Sequence, residues 1–338
     1  MKLVTIHGAN DVRVDEVAEP SPGPRDVVVR IAACGVCGSD LTFIKMGGAG
    51  IPGMASPMPL GHEASGVVTR VGSEVKGIHE GMRVIVNPMG TPHIIGNGGT
   101  EGAFADFLLI RDAELDRSVY EVPEGMPLDR AALVEPLSVA RHGVNRAGPG
   151  ADSRCVVFGV GPIGLGAVMW LKRRGVGDIV AVDISEERLE RARQLGAAHT
   201  LVAGRDDLRA ELTRLHGEAR SVVGPAVGTD IFFDFAGAPQ VVTDIIDLAK
   251  QRATLLMVAI HPQPVPVSLE MLVVKELSLV GSCGYPDEYP EVIADLASMD
   301  DEADSLISHR LGFDRFHEAL ETARAGGSGK VMVEFSRT

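Results

Sequence analysis

"RCVVFGVGPIGLGAVMWLKRRG", residues 154–175, holds the pattern on which the fold turns. A short apolar run of strand character leads into "GVGPIG", a G-x-G-x-x-G with glycines at 159, 161 and 164, and a helical stretch closed by Gly175 follows. A glycine-rich hexamer by itself says little in a chain with 40 glycines. Set between a strand and a helix, it reads as a dinucleotide-binding turn. Gly159 permits the tight turn, Gly161 lets the backbone approach a pyrophosphate, and Gly164 lets the helix pack on the strand. The phosphate is then expected at the helix N-terminus, beside Pro162 and Ile163.

Outward from this hexamer the texture repeats. "DIVAVD" is a second strand ending in Asp183, 19 residues after Gly164, and "SEERLERARQLGA" is a second helix with a Ser cap and an acidic first turn. A carboxylate at Asp183 would bind the adenosine ribose hydroxyls and repel a 2′-phosphate, so NAD is expected rather than NADP. The plainer role for Asp183 is a cap for the next helix. "DIFFDFAG", "ATLLMVAI" and "LSLVGSC" supply further strands. Strands alternating with helices imply an α/β domain, a doubly wound parallel sheet with helices on both faces. Arg188, Ala236, Gly237 and Cys283 complete the expected cofactor-binding set.

The chain before residue 137 differs. Short β-type runs such as "DVVVRIAACG", "ASGVVTRVG" and "MRVIVNP" are broken by Gly and Pro, which suggests a small, irregular, mostly β domain. The 338 residues suffice for two domains, and 45 % apolar residues suffice for their cores. The formal charge of −14 argues against nucleic acid or an anionic membrane as partner. No apolar run approaches the length of a membrane span, and the N-terminus does not read as a signal peptide. Cys34, Cys37, Cys155 and Cys283 are too few and scattered for a disulfide framework. A reducing cytoplasm is expected.

Cys34 and Cys37 form a C-x-x-C within "AACGVCGSDL", residues 32–41. A redox dithiol would normally start a helix of a thioredoxin-like unit, and none surrounds it. A structural zinc would need four ligands, and there is no second cysteine pair. A third use needs only one thiol. His62 and Glu63 stand side by side 25 residues after Cys37, and Glu135 follows in "ALVEPLSV". Singly, these are core or surface residues. Together, ahead of a dinucleotide unit, Cys, His and carboxylate make an open catalytic zinc shell.

"CGVCGSD", "LGHEASGVV", "ALVEPLSVARHGV" and "GVGPIGLGA", in this order, resemble the zinc-dependent medium-chain dehydrogenase/reductase superfamily along essentially the whole chain. The likeness is nearest to its sorbitol and L-idonate polyol dehydrogenase branch. It implies a discontinuous GroES-like catalytic domain, residues 1–136 and 282–338, and a Rossmann NAD-binding domain, residues 137–281. It implies Cys37, His62, Glu63 and Glu135 as the metal set, with Cys34 a packing residue. Many members hold a second, structural zinc in a four-cysteine lobe. Residues 87–107 stand in its place without a cysteine, so one zinc is expected. Where members often carry a relay histidine the chain has Thr42, followed by Phe43. Gly284 replaces the branch's usual Arg before a matching Tyr285. Phe43 and Tyr285 are the expected substrate contacts.

The expected activity is hydride transfer between NAD and a secondary alcohol or ketone, with a polyol or sugar-acid derivative as substrate. Ser39 is the candidate proton relay, and Glu135 the helper in exchange of zinc water. A threonine-type amino alcohol, a butanediol, an aldose or a simple secondary alcohol is the alternative substrate. A dinucleotide-binding protein without catalysis is the alternative class, disfavoured by the intact ligand set. A homodimer or homotetramer is expected.

Overall fold

The structure, a computed structural model, describes residues 1–50, 54–261, 263–299 and 301–336. The chain divides into two compact units. The first comprises Met1–Glu135, Tyr289–Gly326 and Lys330–Thr338, and the second comprises Pro136–Glu288 and Gly327–Gly329. The return to the first unit thus comes at Tyr289, seven residues beyond the expected 282. The intervening segment stays with the second unit because Glu288 bonds His142 Nδ1 at 2.8 Å and Asn145 Nδ2 at 3.4 Å on the helix Val134–Ala147.

In the first unit Val27–Gly35 is the organising strand. Its sequence, VVVRIAACG, is buried at nearly every position because both of its faces are covered. It pairs antiparallel with Glu63–Val71, Phe107–Ile110 and Lys330–Glu334. The register sets Gly35 opposite Glu63 on one side and Met332 on the other. The full seven-stranded sheet also contains Arg83–Val86, Val119–Glu121 and Ile307–Gly312. A smaller sheet joins Asp11–Glu16, Lys2–Gly8 and Met58–Pro59. Their shared core includes Val4, Ile31, Phe104, Phe316 and Leu320, with the Phe104 and Phe316 rings edge to face at 4.9 Å.

The second unit is built on six strands, all parallel, in the order His199–Val202, Asp178–Asp183, Arg154–Phe158, Ile231–Asp234, Thr254–Met257, Ser278–Gly281. The chain winds outward from Arg154–Phe158 in one direction and then resumes on its other side with Ile231–Asp234. That reversal is the topological switch point, where open α/β sheets bind ligands beyond the strands' C-terminal ends. The helix Pro162–Arg173 starts there, with Gly161 as its N-cap and Pro162 in its first turn, where a missing N–H costs nothing. An antiparallel hairpin, Glu218–Ser221 with Gly224–Val227, adds a small second sheet that the alternating pattern does not announce. Among the described residues no helix is long and apolar enough to cross a membrane.

Arg130 ties the late part of the first unit to the short helix Leu128–Ala131 that precedes Glu135. Its Nε and Nη2 donate to both oxygens of Asp304 at 2.7 and 2.6 Å, and its Nη1 donates to the Met299 carbonyl at 2.9 Å. Arg130 is 11 % exposed and Asp304 28 %, so the pair is only partly screened. Arg130→Ala is expected to lower unfolding stability by about 2 kcal/mol, between surface and fully buried pairs. Urea denaturation of the two proteins measures it, and an unchanged midpoint would refute it.

Candidate functional site

Cys37 lies two residues beyond the strand Val27–Gly35, in extended conformation at the N-cap of the helix Gly38–Met46. Asp40 closes that helix start: its Oδ2 accepts the Cys37 N–H at 2.9 Å. His62 and Glu63 come from the neighbouring strand's beginning. The turn before them needs Gly61, whose φ is +93° and whose missing Cβ would meet the Phe104 nitrogen at 2.5 Å. Cys37, His62 and Glu63 present a thiol, an imidazole and a carboxylate whose ligand atoms all lie within 4.8 Å of one another. His62 and Glu63 are buried, while Cys37 keeps partial exposure.

Three of the four expected ligands are therefore together. Glu135 stands outside that set. It is buried in the first turn of Val134–Ala147, near enough to act on the charge of His62. Ser39 Oγ is 3.5 Å from His62 Nε2. Cys34 is fully buried in the core, and burial pushes its thiol well above the ordinary range, which makes it a poor source of thiolate. Thr42 donates its hydroxyl to the Gly38 carbonyl at 3.1 Å, one turn back along its own helix. Phe43 is part of the wall around the first unit's core. Tyr285, 5 % exposed, and Cys283, exposed, both belong to the second unit.

Two residues that the sequence reading leaves without a role shape the cluster. Lys330 is completely buried, and its Nζ donates to both Glu63 oxygens, at 2.7 and 2.6 Å, and to the Val36 carbonyl at 3.1 Å. Desolvation opposes its charge, but Glu63, Cys37 and Glu135 outweigh that and raise its pKa above the lysine range. Gly35 makes room for the pair, since a methyl group there would collide with Glu63 Oε2. The second residue is Asp40, whose Oδ1 faces His62 Nδ1 at 3.5 Å. Both of these atoms are buried without a hydrogen-bond partner. Burial holds the Asp40 carboxyl above its usual range. Burial alone would lower the His62 pKa, yet the charges of Asp40, Cys37 and Glu135 prevail and raise it well above the ordinary value. A thiol, a carboxylate-backed imidazole and a second carboxylate fit a divalent metal, which would take the place of the imidazole proton and leave Asp40 to orient the ring.

The glycine turn meets the dinucleotide requirements in its own unit. Gly159 has φ +81°, and a Cβ there would stand 2.6 Å from the Ala236 nitrogen. A methyl group on Gly164 would collide with the Gly159 carbonyl. Above Gly161, by contrast, a Cβ would meet nothing nearer than the Arg188 guanidinium at 3.9 Å, so the backbone here is open to an anion beside a cation. Arg188 is held by its Nε bond to the Ser328 carbonyl at 3.0 Å. Asp183, buried, accepts the Val160 N–H at 2.8 Å and the Ser185 N–H at 2.9 Å. It thus braces both the glycine turn and the start of the next helix, and its remaining lone pairs are what a ribose would use. Asp234 does the same work for Ala236 and Gly237, whose N–H groups donate to its Oδ1 at 2.9 and 3.1 Å.

Comparison with known proteins places both units in one family. The family model described as "Alcohol dehydrogenase GroES-like domain" matches residues 23–124, and that described as "Zinc-binding dehydrogenase" matches residues 162–298. Sorbitol dehydrogenase of Gallus gallus is 31 % identical over 99 % of this chain and 96 % of its own. The chain belongs to the zinc-dependent medium-chain dehydrogenase family, on its polyol dehydrogenase branch. The (R,R)-butanediol dehydrogenase of Bacillus subtilis is 30 % identical over 93 % of both chains. The crystal structure of 2R,3R-butanediol dehydrogenase from Bacillus subtilis superposes with a TM-score of 0.85 at 28 % identity, over 98 % of this chain and 99 % of that one. The dehydrogenase is accordingly an oxidoreductase with a GroES-like unit and a parallel Rossmann-type sheet.

Sequence signals for the two missed residues existed. Asp40 lies three residues after an N-cap, the spacing of a capping carboxylate. Lys330 opens "KVMVEF", a strand otherwise apolar for several residues, where a cation needs a partner. Lys330→Met in the dehydrogenase would leave the Glu63 charge buried and unpaired. A loss of about 3–5 kcal/mol of stability is expected, the range for removing one member of a buried pair. Adding Glu63→Gln should restore much of it, because a neutral amide is far cheaper to bury. A double-mutant cycle by urea denaturation measures the coupling, and additive effects would exclude it.

Proposed function

We propose that the dehydrogenase oxidises a secondary alcohol to a ketone with NAD, using one zinc per chain held by Cys37 and His62 with the carboxylates of Glu63 and Glu135. The observation that carries this reading is the convergence of thiol, imidazole and carboxylate within 4.8 Å in a family of zinc-dependent dehydrogenases. When bound, zinc supplies a Lewis acid that lowers the pKa of the substrate hydroxyl, and NAD supplies the hydride acceptor. The chain's own groups do the rest. Asp40 fixes the orientation of the His62 ring. Lys330 holds Glu63 back, so this carboxylate serves as an exchangeable ligand. Ser39 Oγ, beside His62, takes the alcohol proton and passes it outward. Glu135 assists water exchange at the metal. Arg188 and the turn at Gly161 receive the pyrophosphate, and Asp183 the adenosine ribose.

Support for NAD over NADP comes from the buried Asp183 carboxylate, which opposes a 2′-phosphate. Support for one zinc comes from the segment 87–107, which has no cysteine. We further read the substrate as less densely hydroxylated, or more apolar near the reacting carbon, than an open-chain hexitol. Phe43 and Gly284 provide no side-chain donors, and the Thr42 hydroxyl is already committed to its own helix. Each unpaired substrate hydroxyl in a buried site costs about 1–3 kcal/mol.

Elemental analysis should find about one zinc per chain. Cys37→Ser should remove both metal and activity, and Cys34→Ser should leave most of each; equal losses would point back to a dithiol. A panel of secondary alcohols and polyols, followed by NADH absorbance on the same sample, tests the chemistry. A short diol should give a larger kcat/KM than sorbitol, and NADP a smaller one than NAD. Sorbitol preferred over the diol would return the protein to ordinary hexitol oxidation.

A further inference from the structure

Within the second unit, three loops follow one another along the switch point. Gly159 abuts the Ala236 backbone, as its 2.6 Å virtual Cβ distance shows, and a Cβ on Gly237 would lie 3.2 Å from the Ile260 carbonyl and 3.3 Å from the Ala259 side chain. Beneath them is Asp234, fully buried at the end of its strand. Its backbone carbonyl accepts the Val258 and Ala259 N–H groups at 3.0 and 3.1 Å, and its Oδ1 accepts those of Ala236 and Gly237. Its Oδ2 is 2.8 Å from His261 Nε2. A carboxylate only accepts, so Nε2 carries the hydrogen, and Nδ1 of the neutral ring is an acceptor. That Nδ1 is buried and has no hydrogen-bond partner. A buried acceptor held in a fixed tautomer with nothing to bond is costly, and such a group calls for a partner: a water, an ion or a ligand.

The sheet order says which part of a dinucleotide reaches it. Asp183 ends the strand on one side of Arg154–Phe158, while on the other side Asp234 ends the first strand and His261 follows the second. With the adenosine ribose at Asp183 and the pyrophosphate over Gly161, the other half of the molecule extends across the switch point toward His261. We propose that His261 is a positioning residue for the nicotinamide half of the cofactor: Asp234 fixes its ring through Nε2, and Nδ1 accepts a hydrogen bond from the carboxamide N–H or a ribose hydroxyl of that half. The inference rests on the dinucleotide reading above and adds to it the residue that holds the reactive end.

Calorimetric titration of the purified protein with NADH and with ADP-ribose, which lacks nicotinamide, separates the possibilities. His261→Gln can keep a donor to Asp234 but removes Nδ1, and His261→Phe removes both. Both variants should bind NADH about three- to tenfold more weakly, the effect of one lost hydrogen bond, with ADP-ribose affinity changed less than about twofold. KM for NAD should rise in step. The acetylpyridine analogue of NAD lacks the carboxamide N–H. If its affinity is unaffected by His261→Gln, the donor is the carboxamide; if it weakens as NADH does, the donor is the ribose. Unchanged NADH binding in both variants, equal loss of NADH and ADP-ribose, or loss in His261→Phe alone would overturn the proposal, the last two by reducing His261 to loop support. If the wild-type protein bound neither ligand, the dinucleotide reading would fall with it, a result distinct from the others.

Discussion

An ammonium and a carboxylate share a volume from which water is excluded, and the cluster of Cys37, His62 and Glu63 is arranged around them. Lys330 and Glu63 are both wholly buried. Each charge alone would be expensive to place there, and together they offset one another only while the geometry is kept. Three strands keep it: Glu63–Val71 and Lys330–Glu334 flank Val27–Gly35, and Gly35 leaves between them the space that any side chain would fill. A segment from the end of the chain is thereby required at a site built mainly from its first third. The discontinuity of the first unit has a local, electrostatic reason as well as a topological one.

A related arrangement recurs at three buried aspartates. Asp40 accepts the Cys37 N–H at the start of its helix and faces His62 at 3.5 Å, so one side chain borders two members of the cluster. Asp183 and Asp234 each anchor backbone N–H groups of loops at strand ends. Loops at a switch point must leave backbone groups open to a ligand, and a carboxylate beneath them satisfies the N–H groups that face inward. These aspartates therefore hold the loops in place from within the chain itself. For Asp183 the helix-start role and the ribose role are compatible, because two carboxylate oxygens offer more lone pairs than the backbone occupies.

Steric demand, more than chemistry, explains the glycines that matter. Gly159 and Gly61 adopt left-handed φ values beside a neighbouring backbone nitrogen. Gly164 lies against a carbonyl, whereas Gly161 alone in the turn opens onto free space and a guanidinium. One hexamer thus contains two glycines required by packing and one beside which the backbone stays open.

Part of this is legible in the sequence. The fold class follows from a short-range pattern, since strand–turn–helix periodicity and turn glycines are set by neighbours in sequence. Cys37, His62 and Glu63 were legible as a set because their residue types suit one metal. What the sequence could not decide is which of its many charges are buried together. Glu135 is an expected ligand, and among the described residues it stands outside the closest cluster. Lys330, Asp40 and the Asp234–His261 pair went unassigned, and the chain's return came at Tyr289 instead of residue 282. Lys330 and Glu63 are separated by 267 positions, and no local periodicity relates them. Desolvation depends on everything packed around a charge, so only the tertiary structure determined that this lysine is inside and that a glycine opposite makes its place.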